Sequence, residues 1–177
     1  MNEELYAKIN NDTTKGLLIE DLFIKLVENE GYRCYKASQI ENMREHWDVC
    51  IIKEINGIKI FERVDVKSNK EAHAEGYTWV ELQNVQGNTG WLYSEYMDVI
   101  AFERTECFEL VRRIDLVKIV EENVKKAELE DGESIIYCNK NGLKDYRIYR
   151  RAGRNDRLIK IPFSDFKHLI YKKIGKI

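Results

Sequence analysis

The chain has 177 residues, 44% hydrophobic and 34% charged, with a formal charge of −2, so it can bury a single core. Ten Tyr, six Phe and three Trp exclude a disordered chain. No apolar run approaches the ~18 residues of a membrane span, and Met1-Asn2-Glu3-Glu4 opens without the basic and apolar segments of a signal peptide.

Taken in chain order, Asn11, Asp12 and Thr13 are capping-type residues that open a helix expected over 13–29, and Gly31 stops it. Ile19, Leu22, Phe23, Leu26 and Val27 form one buried stripe of that helix. Glu20 falls on the stripe's flank, where a carboxylate needs a cation, either a surface salt-bridge partner or a metal. Short strands are expected over 32–36, 47–53, 58–67, 78–85, 98–102 and 108–112, with Asn56-Gly57 as a hairpin turn. A helix over 115–129, strands over 135–138, 146–151 and 158–161, and a last helix from Ser164 follow. A helix, a meander and later helices predict an α+β fold with a mixed sheet flanked by helices, as one domain. Its core would span about 13–112, with a basic extension over about 134–177.

Alternation along Ile58–Lys67 places Asp65 and Lys67 on one face, and Asp48 enters the apolar strand across the hairpin. Two acids with a lysine suit a hard divalent cation beside a phosphate, and equally suit a plain cross-strand salt bridge. The four cysteines, Cys34, Cys50, Cys107 and Cys138, form no CxxC pair, and His46, His73 and His168 share no ligand spacing. They read as reduced residues of a cytoplasmic protein, with neither a disulfide frame nor a zinc site. His46, beside Asp48, is the one histidine placed to line a site.

Asp48, then Asp65-Val66-Lys67 17 positions on, behind a helix carrying Glu20, resembles the PD-(D/E)XK nuclease superfamily. Gly16-Leu-Leu-Ile-Glu20-Asp-Leu-Phe23, His46-Trp47-Asp48, Val64-Asp65-Val66-Lys67-Ser68 and Trp79-Val-Glu81-Leu-Gln83-Asn resemble its small phage-type members more narrowly. Trp47 stands where the superfamily's namesake proline would be. The resemblance covers roughly Gly16 to Phe102 and implies a restriction-endonuclease-like αβββ core. It implies that Glu20, Asp48 and Asp65, with the Val66 carbonyl, hold one or two Mg²⁺ or Mn²⁺ ions. Lys67 would act electrostatically, Gln83 would be an auxiliary catalytic residue, and Glu81 would be an outer acid.

The polar loop Asn84–Gly90 has two glycines that permit close backbone approach to a phosphate. Trp91 and Tyr93 beyond it are expected to pack more than to stack on bases, and Asp98 to open a strand. From Cys138 to Ile177 twelve Lys and Arg face three Asp, a formal +9 against −11 for the remainder. Within it Arg147, Arg150, Arg151, Arg154 and Arg157 suit phosphate contacts, or else form a solvated basic face.

The expected function is therefore a Mg²⁺- or Mn²⁺-dependent nuclease of a bacterial or phage-infected cell, acting most naturally on DNA, with a homodimer compatible. The rivals are a non-cutting nuclease-fold binding protein, for instance a phage anti-defence factor, and a plain scaffold whose acids and lysines form salt bridges.

Overall fold

The computed structural model describes residues 12–68, 76–132, 136–137 and 146–176. The described residues are mixed α+β, with two sheets, and no helix among them is long and apolar enough to cross a membrane. They divide into two compact units that do not follow chain order. The first gathers the described residues before 73 with Tyr96–Leu110 and those from Lys172 on, and the second gathers those within 73–95 and 111–171. The basic C-terminal stretch is thus shared between both units, and does not form an extension of its own.

In the first unit, helix α1 (Asp12–Asn29) precedes strand β1 (Arg33–Lys36), a short helix α2 (Gln39–Glu45), and the hairpin β2 (Val49–Ile55) and β3 (Ile58–Lys67). Asn56 and Gly57 take φ of 53° and 78°, the doubly left-handed turn that an Asn-Gly pair favours. β1, β2 and β3 run antiparallel, and β3 then pairs in parallel with β5 (Val99–Glu103). β6 (Cys107–Arg112) and β10 (Ile170–Gly175) complete a six-stranded sheet of order β1-β2-β3-β5-β6-β10. Ile19, Phe23, Leu26 and Val27 of α1 pack on Val49, Ile51, Val64, Val66, Val99, Ala101, Phe108 and Leu110 of that sheet. Phe23 meets Phe108 edge-on at 5.1 Å, and each such burial contributes about 1.5–3 kcal/mol.

The expected inward face of β3 holds only at one end. Val64 and Val66 are buried, whereas Ile58 and Ile60 are exposed, as is Phe61. The reason is register: β1 reaches β2 only over Val49–Ile52, and β5 reaches β3 only over Val64–Lys67, so the hairpin outruns its neighbours.

In the second unit β4 (Tyr77–Gln83), β9 (Arg157–Pro162), β8 (Ile148–Arg150) and β7 (Ile136–Tyr137) form a four-stranded sheet in the order β4-β9-β8-β7. Its helices are α3 (Arg113–Asp131) and the single turn α4 (Phe163–Phe166). The long helix expected from Ser164 does not form: α4 and the 3₁₀ turn Lys167–Leu169 lead straight into β10. Ile170 and Ile174, with Lys172 between them, have the two-residue period of a strand. Ile135 and Cys138, at the ends of one expected strand, and His73 lie outside the described residues.

Candidate functional site

Three of the expected residues converge through local chemistry of the first unit. Asp48 precedes β2 by one residue, next to Val49, which pairs with Val64, and its charge acts on Asp65 of β3. The Asp48 N–H donates to the Val64 carbonyl at 2.9 Å, and the Val66 N–H donates to Asp48 Oδ2 at 2.7 Å. Two carboxylates therefore act on each other, an arrangement that ordinarily destabilises a sheet.

Asp65 is the more deeply placed, 4% exposed, with Ile100 of β5 as its cross-strand neighbour on the other side. Burial first, and then the charge of Asp48, push its carboxyl up to about 7 although Lys67 pulls it down. Lys67 Nζ stands 2.7 Å from Asp65 Oδ2 as its ion-pair partner. Glu20 on α1 is also raised, by burial and next by Asp48, against the opposing pull of Lys36. Lys36 at the end of β1 lies 3.6 Å from Glu20 Oε2 and 2.9 Å from Asp21 Oδ1.

The donor set suits a hard divalent cation: three carboxylates, two of them raised by burial and by the charge of the third, and a lysine on the strand of Asp65. Among the described residues no three His, Cys, Asp or Glu already stand at metal-holding spacing. Glu20 is instead drawn to Lys36, and Asp48 is held by donors of its own.

Trp47 is a packing anchor immediately before Asp48. Its ring is buried, its indole N–H donates to Glu45 Oε2 at 2.7 Å, and it meets Tyr35 edge-on and the Arg63 guanidinium at 5.7 Å. His46 is the left-handed cap of α2, its N–H donating to the Asn42 carbonyl at 3.1 Å. Asp98 is the strand-entry residue expected, exchanging main-chain and side-chain hydrogen bonds with Arg63.

Other expected residues belong to the second unit. Gln83 and Glu81 sit on β4, which belongs to the four-stranded sheet of the second unit and does not extend the sheet of Asp65. Trp91 is buried, as expected of a packing residue. Gly90 does permit a close approach, but to protein: a Cβ there would lie 2.2 Å from the Glu81 carbonyl oxygen.

The five arginines all belong to the second unit, and three of them brace it. Arg150 donates to the Arg154 carbonyl at 2.6 Å and to Asn155 Oδ1 at 2.9 Å. Arg151 pairs with the fully buried Asp156, and Arg157 lies 3.6 Å from Glu128. Arg147 is half-buried on the approach to β8, and Arg154 is exposed at the turn. In the first unit, Lys172, Lys173 and Lys176 are ion-paired to Glu30, Glu109 and Glu103. Much of the positive charge is therefore matched within the protein.

Two residues near the carboxylates escaped the sequence reading. Lys36 carries no signal beyond its place at the end of a strand. Asn42 was legible in principle, because Ser38-x-x-Glu41 is the capping box that starts its helix. No family model matches the chain, and no curated protein or solved structure is a significant match.

Proposed function

We propose that the protein is a metal-dependent nuclease that hydrolyses phosphodiester bonds, with DNA as its substrate. The observation that carries the reading is Asp65, a buried carboxyl raised to about 7, close to Asp48 and touching Lys67. Such a cluster of acids raises the free energy of the folded chain, and a bound dication relieves it. Glu20, Asp48 and Asp65, with the Val66 carbonyl, would hold one or two Mg²⁺ or Mn²⁺ ions. The metal, when bound, would supply a nucleophilic hydroxide near neutral pH and offset charge on the phosphate. Lys67 presents a cation where negative charge develops on phosphorus oxygens, and the Val66 N–H keeps Asp48 turned toward Asp65.

Arg154, and the outer edge of the turn carrying it, would meet the DNA backbone. Cys34, Cys50 and Cys107 are free thiols, and burial pushes Cys34 up to about 11, which suits a reducing cytoplasm.

A second reading, a nuclease-fold binding protein that no longer cuts, is supported by the ion pair of Glu20 with Lys36, which engages one of the expected ligands. Labelled duplex, branched, flap and single-stranded DNAs incubated with Mg²⁺ or Mn²⁺ separate the two. Cleavage of at least one, abolished by Asp65→Asn or Asp48→Asn, is expected. Intact DNA in every tube would favour the binding protein.

A further inference from the structure

We propose that Asn42, on α2, is a positioning residue for the metal site, one that turns the Asp48 carboxylate to its working orientation. The inference rests on the metal-dependent reading above and adds to it a residue outside the carboxylate set.

The Asn42 side-chain Nδ2 donates to Asp48 Oδ1 and, at 3.3 Å, to the Trp47 carbonyl. Both partners are acceptors only, so the amide nitrogen must be the atom facing them, and the orientation of the amide is fixed by chemistry. The Val66 N–H takes the other oxygen, Oδ2, at 2.7 Å. With one donor on each oxygen, the Asp48 carboxylate plane is set, and each oxygen keeps a lone pair for a cation.

The support for Asn42 is itself built. α2 is closed at its start by the Ser38 capping box and at its end by left-handed His46, and buried Trp47 pins the chain immediately before Asp48. The seven-residue helix buries no residue of its own. It places the Asn42 amide on Asp48, and its last residue, Glu45, holds the Trp47 indole. Donors on ligating carboxylates of this kind commonly change metal affinity by about 10–100-fold.

The test is Mn²⁺ titration by calorimetry on the intact chain, with wild type, Asn42→Leu, Asn42→Gln, Met43→Ala and Asp48→Asn compared well below their melting temperatures. Asn42→Leu keeps the side chain's size and removes the donor, and should weaken Mn²⁺ by about 10-fold or more. Asn42→Gln keeps an amide on a longer stem and should recover part of the loss. Met43→Ala, on the exposed side of α2, should bind as wild type does. DNA cleavage by Asn42→Leu should fall at limiting Mn²⁺ and return toward wild type at saturating Mn²⁺, a split that a general loss of folding would not give. Wild-type affinity in Asn42→Leu alongside lost affinity in Asp48→Asn would overturn the role of Asn42 and leave the metal site standing. Equal weakening in Asn42→Leu, Asn42→Gln and Met43→Ala would also overturn it, since the helix and not the amide would matter. A wild-type chain that takes up no Mn²⁺ would sink the metal site itself and this inference with it.

Discussion

A carboxyl buried as Asp65 is costs free energy whenever it ionises, and the sign of its pH dependence follows. Its folded pKa, about 7, lies above the ordinary 3.8, so the unfolded chain gives up the proton first. Below about 3.8 both states hold the proton and there is no penalty. Stability is lost as the pH rises through about 7 and is level beyond. In EDTA, the melting temperature of Asp65→Asn should therefore overtake that of wild type across this window. The gain is about 2–4 °C per kcal/mol relieved, and Mn²⁺ should raise wild type but not the variant. Parallel pH profiles for the two proteins would show that Asp65 is not the strained group. Lys67→Ala should lower single-turnover cleavage by ~10²-fold while Mn²⁺ uptake survives, because its charge acts on the transition state. Metal affinity lost with normal cleavage at saturating metal would contradict that role. Asp48, Asp65 and Lys67 were legible as a face because strand alternation is local. Asn42 was less so, because its partner is six residues away around a turn whose course depends on buried Trp47.

At the scale of elements, α1 and the β2–β3 hairpin carry strong local signals: a helical apolar stripe and an Asn-Gly turn. β10 was missed because the pattern of a strand with Lys172 on its inner side resembles that of a basic helix. Lys172 is accommodated there by its ion pair with Glu30 and by the Tyr32 ring 4.4 Å away. The sheet of Gln83 was not legible either. Its strand follows that of Asp65 in sequence, but β4 pairs with β9, a partner beyond the reach of local pattern. Two substitutions test the packing. Phe23→Ala should destabilise by about 3–5 kcal/mol in urea titration, as a large core side chain whose loss leaves a cavity. Gly90→Ala should cost about 1–3 kcal/mol, because β4 must shift to admit the methyl group. A neutral Gly90→Ala would mean that the turn after β4 is looser than its backbone hydrogen bond to Leu82 indicates.

For the molecule as a whole, the formal +9 of the tail overstates its field. Lys172, Lys173 and Lys176 face acids of the first unit and Arg157 lies beside Glu128, and these acids all lie outside the tail. Arg154→Ala is thus the cleaner probe of DNA contact: near-neutral for stability, and lowering the salt slope of binding by about 0.9 if it meets one phosphate. Arg151→Ala should instead destabilise by about 1–3 kcal/mol, through the buried acceptor it abandons. The measurement is DNA binding by Asp65→Asn protein in Ca²⁺ over a salt series, beside thermal melts. An unchanged slope in Arg154→Ala would move the DNA path away from this turn. Charge segregation was readable from composition; its internal neutralisation was not, because the paired residues lie far apart in sequence.

The core beneath the six-stranded sheet contains both Ile19 and Ile174. During synthesis, α1 must therefore wait for β10 before this packing is complete. Loop closure on that scale is slow relative to hairpin formation. A nascent chain would carry Glu20, Asp48 and Asp65 long before the sheet that holds them is whole. Under the nuclease reading, the carboxylate site would be whole only once β10 has docked.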